Sequence, residues 1–304
     1  MKIMKLIYER KNLAKSIPLM ALMAAINIIV AELAGLSLIV SLFLILVLPL
    51  TSAIVELCCK DRYFPIYAIA TFGLSLALTF WNIQTTIFYV LPSIITGYIF
   101  GLMIKHKIPT IWSIFAATLG QTAITYGLIP LINFILQIDF IESFKTALGL
   151  AEMKYVNIII PSFIFLISLI QVGLSQLIVS QELVKFGIEK NKEEFSNIAS
   201  AFAGILFSLL VVPFYFVMLE LAYLFLMMSL YFAIYQIVII IFSKKYFVLI
   251  PFGVSLVINV VLFALLNSYL KEPSAFLLFA ITSALICISS LAFYFLQKKK
   301  EKIQ

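Results

Sequence analysis

The sequence predicts an all-α polytopic integral membrane protein with about ten transmembrane helices. Of its 304 residues, 64% are hydrophobic and 12% are charged, whereas a soluble domain has roughly 45–50% apolar and 25% charged residues. The apolar residues also form runs long enough to cross a hydrocarbon core of ~30 Å, which takes about 20 helical residues. These observations exclude a soluble enzyme and most nucleic-acid-binding classes.

Ten apolar runs define the predicted spans in chain order. They cover residues 16–35, 37–57, 64–82, 86–104, 109–135, 156–181, 198–219, 221–243, 247–268 and 274–297. The first run follows a basic segment and lacks an Ala-x-Ala exit site, so we interpret it as a membrane helix and not as a cleaved signal peptide. The run 198–243 carries only one charge, Glu220. As one helix it would be ~69 Å long, so we predict that it folds back near Glu220.

Basic residues sort to one side of these spans when successive loops alternate across the membrane. All of the 21 Lys and Arg residues lie on the side of the N-terminus except Lys145, Lys154 and Lys271. Positive-inside bias therefore places both termini in the cytoplasm. The net charge of +7 is then a sign of topology, and we expect the lipid bilayer and no nucleic acid as a partner.

Two connections between spans have patterns of their own. Residues 138–154 contain Asp139 and Glu142, which resemble a capping box, and one helical face of this segment is apolar. The pattern predicts an external amphipathic helix, which lies either flat on the interface or over a pocket. Residues 183–197 form the longest cytoplasmic connection and divide a six-span domain, residues 1–182, from a four-span extension, residues 198–304.

Small residues at four-residue spacing indicate where membrane helices pack closely. The pattern occurs in the first, fourth, fifth and seventh spans, at Ala21 and Ala25; Ser93, Gly97 and Gly101; Ala116, Gly120, Ala123 and Gly127; and Ser200, Gly204 and Ser208. We expect most of these residues to pack helices within the chain.

Charged side chains inside the hydrocarbon are costly and usually face protein or water. We identify Glu32 and Glu220 as the candidates, both near the outer boundary. Polar side chains predicted at a similar depth are Asn27, Asn82, Gln84, Tyr126, Asn133 and Gln137. If their helices are neighbours, these residues and Glu32 line an outward-facing cavity for a small solute. The alternative is that they are ordinary interfacial polar residues.

Residue types that support catalysis are few. His106 is the only histidine and lies in a Lys-His-Lys turn that is predicted to be cytoplasmic, so we expect neither a histidine metal cluster nor a Ser-His triad. The two aspartates, Asp61 and Asp139, are predicted on opposite sides of the membrane. The chain has no G-x-x-x-x-G-K-[ST] loop, so ATP-driven work needs another subunit. We therefore expect no enzyme activity, no metal site and no cofactor.

A basic N-terminus leads into Leu19-Met-Ala-Leu-Met-Ala-Ala-Ile-Asn-Ile-Ile-Val-Ala31, and six spans occupy residues 1–182. With these features and the Ala21-xxx-Ala25 pair, the front half resembles the substrate-binding S component of energy-coupling factor (ECF) vitamin transporters. The resemblance implies that Ala21 and Ala25 dock a transmembrane coupling subunit driven by ATPases. It also implies that a solute is held near the outer surface, with Glu32 among the pocket candidates.

The whole chain is similar to the YybS-like bacterial membrane proteins, themselves distant relatives of S components. The shared features are the front half, the amphipathic segment before the sixth span and the run Tyr235–Lys245, which closes a span with a short basic turn. This resemblance implies a bacterial cell (inner, plasma) membrane. The four extra spans depart from S components and sit, in one interpretation, over the docking face.

The combined prediction is a membrane protein that binds a solute and takes part in the uptake of a vitamin-like molecule within a larger complex. The alternative is a non-transporting scaffold or regulatory protein whose last four spans bind other membrane proteins. An intramembrane enzyme is the third possibility.

Overall fold

A computed structural model describes residues 12–35, 38–78, 83, 86–137, 139–147, 156–185, 196–244, 246–266 and 277–301. Nearly all of these residues are helical and none of them forms a strand, which confirms the all-α class. The α-helices are α1 (Leu13–Gly35), α2 (Leu38–Cys58), α3 (Phe64–Leu78), α4 (Leu91–Lys105), α5 (Thr110–Leu136), α6 (Phe140–Ala147), α7 (Val156–Lys185), α8 (Ser196–Val217), α9 (Leu219–Phe242), α10 (Ile250–Leu266) and α11 (Phe279–Glu301).

Within the described residues, six helical stretches are long and apolar enough to cross a membrane. They are Leu13–Leu33, Thr110–Ile135, Val156–Leu183, Asn197–Val217, Leu219–Phe242 and Phe279–Leu296. Three further apolar helices are shorter: Leu46–Cys58, Leu91–Lys105 and Tyr246–Leu262. Large apolar side chains such as Phe134, Phe216 and Phe242 are about four-fifths exposed. Exposed apolar surface of this kind favours contact with lipid, so the chain is a membrane-embedded helical protein.

The chain divides into two compact units. The first comprises residues 1–131 and 167–192, and the second comprises residues 132–166 and 193–304. In the first unit, buried side chains of α1, α2, α3 and α4 form one core around Leu48, Val55, Tyr67 and Ile94. Residues 186–195 of the predicted connection between domains lie outside the described residues.

Two glycines bring α2 and α4 close together in the first unit. A Cβ atom on Gly97 would lie 2.3 Å from the Pro49 carbonyl oxygen, and one on Gly101 would lie 2.5 Å from Glu56 Cβ. Both contacts are shorter than any two such atoms tolerate, so glycine permits this approach. The predicted packing role of these two residues is confirmed. Because the later glycine meets the later part of α2, the two helices run parallel.

The second unit contains the fold-back that the length of run 198–243 predicted. Met218 has an extended backbone, with φ −157° and ψ 102°, and separates α8 from α9. Ser208 Oγ then lies 2.6 Å from Ser229 Oγ, and Gln236 Nε2 donates to Ser200 Oγ at 2.8 Å. These pairs are nearly symmetric about Met218, so α8 and α9 form an antiparallel hairpin. The predicted break near Glu220 is confirmed.

The short helix α6 begins where the sequence predicts. Asp139 Oδ1 accepts hydrogen bonds from the backbone amides of Ile141 at 3.0 Å and Glu142 at 3.1 Å, so Asp139 is the N-cap. The Glu142 side chain accepts from Lys145 Nζ at 2.8 Å, one turn later. The predicted helical start is confirmed, and residues 148–154 of the predicted helix lie outside the described part of the chain.

Candidate functional site

Glu32 lies in the last turns of α1, at the end that the sequence analysis assigns to the outer side. Its side chain is half-buried, and its Oε1 atom is buried and accepts no hydrogen bond from any described residue. Leaving a buried acceptor without a donor costs about 1–3 kcal/mol, and more for a charged group. The position therefore favours a hydrogen-bond donor or cation from outside the described residues.

Asn27 lies on the face of α1 that is packed into the first unit. Its Nδ2 atom donates to Thr51 Oγ1 at 2.8 Å and to Ser93 Oγ at 3.1 Å, and the side chain is fully buried. These bonds join α1 to α2 and α4. The amide of this predicted pocket residue is thus committed to holding three helices together.

The other predicted pocket residues are in different settings. Tyr126 belongs to the first unit and is 46% exposed. Asn133 and Gln137 belong to the second unit, where Asn133 is half-buried and Gln137 is exposed at the end of α5 with φ 53°. Asn82 and Gln84 lie outside the described residues. Glu32 is therefore the candidate whose described surroundings point most directly to a ligand.

Glu220, the second charged candidate, lies in the first turn of α9 and is half-buried. A carboxylate in the first helical turn interacts favourably with the helix dipole, by roughly 0.3–1 kcal/mol. This local role accounts for an acidic residue at the fold-back without any ligand.

Ala21 and Ala25 lie on an exposed face of α1. The neighbouring side chains Leu22, Ile26 and Ile29 share this face and are each more than one-third exposed, whereas Ala24 and Ala31 on the opposite face are buried. Within the first unit, the small-residue pair therefore remains available to another helix or to lipid.

Glu56 is the functional candidate that the sequence analysis missed. It lies near the end of α2 with its side chain 0% exposed, and neither carboxylate oxygen accepts a hydrogen bond from a described residue. The sequence signal was present, because Glu56 is the single charged residue in the apolar run 37–57. Glu56 is close along the chain to the basic loop at Lys60 and Arg62. A charged residue so near the end of a membrane span is expected to reach water, so the sequence did not indicate that it is buried.

Lys105, the last residue of α4, lies between two carboxylates. Its Nζ atom donates to Asp61 Oδ1 and lies 3.7 Å from Glu56 Oε1. The hydrogen bond from the Lys105 ammonium lowers the pKa of the Asp61 carboxyl below its ordinary range. Asp61 is exposed, so this cluster connects a buried carboxylate to solvent. We refer to Glu56, Asp61 and Lys105 as the acidic cluster.

The second unit holds an apolar cavity of about 570 Å³ between α8 and α11. Its lining includes Leu209, Val212, Phe216, Ile281 and Ile288, with Ser208 as a polar member. The Ser208 hydroxyl is already bonded, because it lies 2.6 Å from Ser229 Oγ and 2.9 Å from Ser283 Oγ. A wall that is apolar apart from Tyr215 and the already bonded Ser208 suits a lipid chain better than a polar solute.

A smaller cavity of about 100 Å³ lies in the same unit beside Asn197, Ser243, Ser290 and Tyr294. Next to it, Gln236 donates to the Asn197 carbonyl at 3.0 Å and accepts from Ser290 Oγ at 2.6 Å. The amide of Gln236 therefore joins α8, α9 and α11. The volume suits a few water molecules, since one water takes about 30 Å³ in the liquid.

No family model, no curated protein and no solved structure matches this chain. Within the described ranges, no group of three His, Cys, Asp or Glu side chains has the geometry to hold a metal ion. The features of the described residues that bear most directly on function are Glu32, the exposed face of α1 and the helical arrangement.

Proposed function

We propose that this chain is a multi-pass protein of the bacterial inner membrane that binds a small, vitamin-like solute and takes part in its uptake within a larger complex. In this proposal the ten predicted spans all cross the membrane, and both termini are cytoplasmic. The chain has no catalytic role of its own.

The relative directions of the helices support ten membrane crossings. A helix occupies each of the ten predicted spans. Consecutive crossings must be antiparallel and every second crossing parallel, which matches the α8–α9 hairpin and the parallel pair α2 and α4. The helices that are shorter than the hydrocarbon thickness span it by local thinning of the bilayer and by flanking side chains that reach the interface.

The solute site draws support chiefly from Glu32. Its buried Oε1 atom accepts no hydrogen bond from the described residues, and α1 carries it to the outer level of the membrane in the proposed topology. A solute with an amine, hydroxyl or amide group supplies the missing donor. Asn82 and Gln84, on the predicted connection that faces the same side, are the further polar contacts.

The larger complex draws support from the exposed Ala21 and Ala25 on α1. Small side chains let a second helix approach closely in a membrane, where packing rather than hydrophobicity drives association. Because the chain lacks a phosphate-binding loop, a coupling subunit with ATPases supplies the energy for uptake. Ala21→Trp is expected to block association with such a subunit.

The test uses the full chain, purified from its host membrane and analysed by native mass spectrometry after incubation with a set of water-soluble vitamins. Wild type and Glu220→Ala are expected to retain the same bound small molecule, and Glu32→Ala is expected to lose it. Binding that survives in Glu32→Ala would remove this carboxylate from the site. The absence of any bound molecule in wild type, in the presence of copurifying membrane proteins, would favour the alternative below.

The alternative function is a membrane scaffold that binds other membrane proteins and transports nothing. The exposed small-residue face of α1 also favours this function, because it suits any partner helix. Copurification that Ala21→Trp abolishes, without ligand binding in any variant, distinguishes the scaffold from the uptake protein.

A further inference from the structure

The burial of Glu56 is unusual because its carboxylate oxygens accept no hydrogen bond from the described residues and its one ion pair, with Lys105, is long. The side chain is 0% exposed, and the absence of a Cβ on Gly101 leaves room for it, since such an atom would lie 2.5 Å from Glu56 Cβ and 2.7 Å from Glu56 Cγ. Neither carboxylate oxygen accepts a hydrogen bond from a described residue. An ionised carboxylate in this state loses its hydration without an equivalent replacement, which is unfavourable.

Lys105 does not supply that replacement in the structure. Its ammonium is held by Asp61 Oδ1, and the carbonyl oxygens of Glu56 and Cys59 lie 3.5 Å away. The distance of 3.7 Å to Glu56 Oε1 is longer than a charge-assisted hydrogen bond, which measures about 2.7–2.9 Å. The ammonium is therefore committed to Asp61.

The charges of the acidic cluster do not balance. Among the described residues, two carboxylates pair with one ammonium, which leaves one negative charge of this cluster unmatched there. Tyr98 of α4 faces the same charges but is an uncharged phenol near neutral pH, and the Arg62 guanidinium is bonded to the Tyr63 hydroxyl at 2.8 Å. Exposed Asp61 gives solvent cations, including the proton, a route to the cluster.

We propose that Glu56 is a binding site for an exchangeable proton at the Lys60–Asp61 end of the first unit, with Asp61 and Lys105 as its connection to solvent. With the proton bound, Glu56 is a neutral acid and Lys105 pairs with Asp61. When the proton leaves to water, the Lys105 ammonium moves the ~1 Å needed to hydrogen-bond Glu56 and is shared between the two carboxylates. This site is separate from Glu32 and does not rest on the proposed function.

The proposal makes opposite predictions for the two neighbours of Glu56. Lys105→Met removes the cation that stabilises ionised Glu56, so the proton is held to higher pH. Asp61→Asn removes the competing carboxylate and releases Lys105 toward Glu56, so the proton is lost at lower pH. Loss of fold does not produce shifts of opposite sign, which separates this mechanism from simple destabilisation.

The test uses dicyclohexylcarbodiimide, an apolar reagent that adds to protonated, buried carboxyl groups and leaves a stable N-acylurea. The full chain in lipid nanodiscs is treated at a series of pH values, and the adduct at Glu56 is quantified by peptide mass spectrometry. We expect wild type to be labelled at Glu56. Above the pH at which the proton is lost, this labelling is expected to fall about tenfold per pH unit. Glu56→Gln is expected to take up no reagent at this position. The midpoint is expected to rise in Lys105→Met and fall in Asp61→Asn.

Two results would overturn the assignment. If wild type takes up no reagent at Glu56 at any pH at which it stays folded, the carboxyl is permanently ionised. If sodium chloride, but not choline chloride, blocks labelling at constant pH, the site holds a metal cation instead of a proton. Where a variant fails to fold, the wild-type pH profile and its protonated-carboxyl infrared band give the same decision.

Discussion

Gly97→Ala tests the close approach of α2 and α4. The added Cβ atom would lie 2.3 Å from the Pro49 carbonyl oxygen, 2.5 Å from Ser52 Cβ and 3.0 Å from the Ala53 amide nitrogen. Ordinary contact between carbon atoms begins at about 3.5 Å, so the helices must separate by roughly 1 Å. Two of the three obstructing atoms are backbone and the third is a Cβ atom, whose position the backbone fixes, so no flexible side chain can move aside.

The expected loss of stability is about 1–3 kcal/mol, which is the usual range for overpacking. Gly127→Ala is the matched control, since its Cβ would have no other atom within 4 Å. Alanine is favoured over glycine in a helix by up to about 1 kcal/mol, so this control is expected to be neutral or more stable. The two substitutions add the same methyl group and are expected to act in opposite directions.

The natural cysteines provide the assay. Cys58 and Cys59 are buried in the first unit and Cys287 in the second, so each thiol reports the opening of its own unit. The protein in detergent is heated with a thiol reagent, and modified peptides are quantified by mass spectrometry. Gly97→Ala is expected to lower the temperature at which Cys58 and Cys59 react. If Gly97→Ala and Gly127→Ala react at the same temperature, α2 and α4 are not packed as described.

Two further pairs of substitutions use the same thiol assay as the readout of stability, and the second pair separates packing from solute binding. Ser229→Ala removes a hydroxyl shared with two other helices and is expected to destabilise the second unit by about 1 kcal/mol, so that Cys287 reacts at a lower temperature. Ser289→Ala, whose hydroxyl bonds back to its own helix, is its control, and equal effects of the two would contradict the interhelical role. Asn27→Ala is expected to lower the stability of the first unit by about 1–3 kcal/mol and to leave solute binding intact. Glu32→Ala is expected to abolish solute binding and to leave the stability of the first unit unchanged. If a folded Asn27→Ala variant no longer binds solute, Asn27 is part of the solute site.

Helix positions were predictable from sequence because hydrophobic length determines them. A helix of 46 residues does not fit a bilayer, so the break at Met218 followed from length, and Asp139 followed from the chemistry of helix caps. The close contacts of Gly97 and Gly101 followed from their four-residue spacing. Each of these depends on residues that are near one another along the chain.

Side-chain partners were not predictable in the same way. The sequence placed Asn27 at a depth suited to a pocket, but its rotation about α1 toward Thr51 and Ser93 depends on which helices are neighbours. Glu56 was missed for a related reason. Its burial depends on Gly101, 45 positions further along the chain, which no local pattern connects to it.

The sidedness of the membrane helices is tested most directly by two single-cysteine sites read with a membrane-impermeant maleimide. Glu142→Cys in α6 and His106→Cys in the turn after α4 both replace exposed residues, whereas the three natural cysteines are buried. Glu142→Cys is expected to react in intact cells, and His106→Cys only after the membrane is opened. Reaction of His106→Cys in intact cells, or protection of Glu142→Cys until the membrane is opened, would contradict the topology and remove the outward-facing solute site with it.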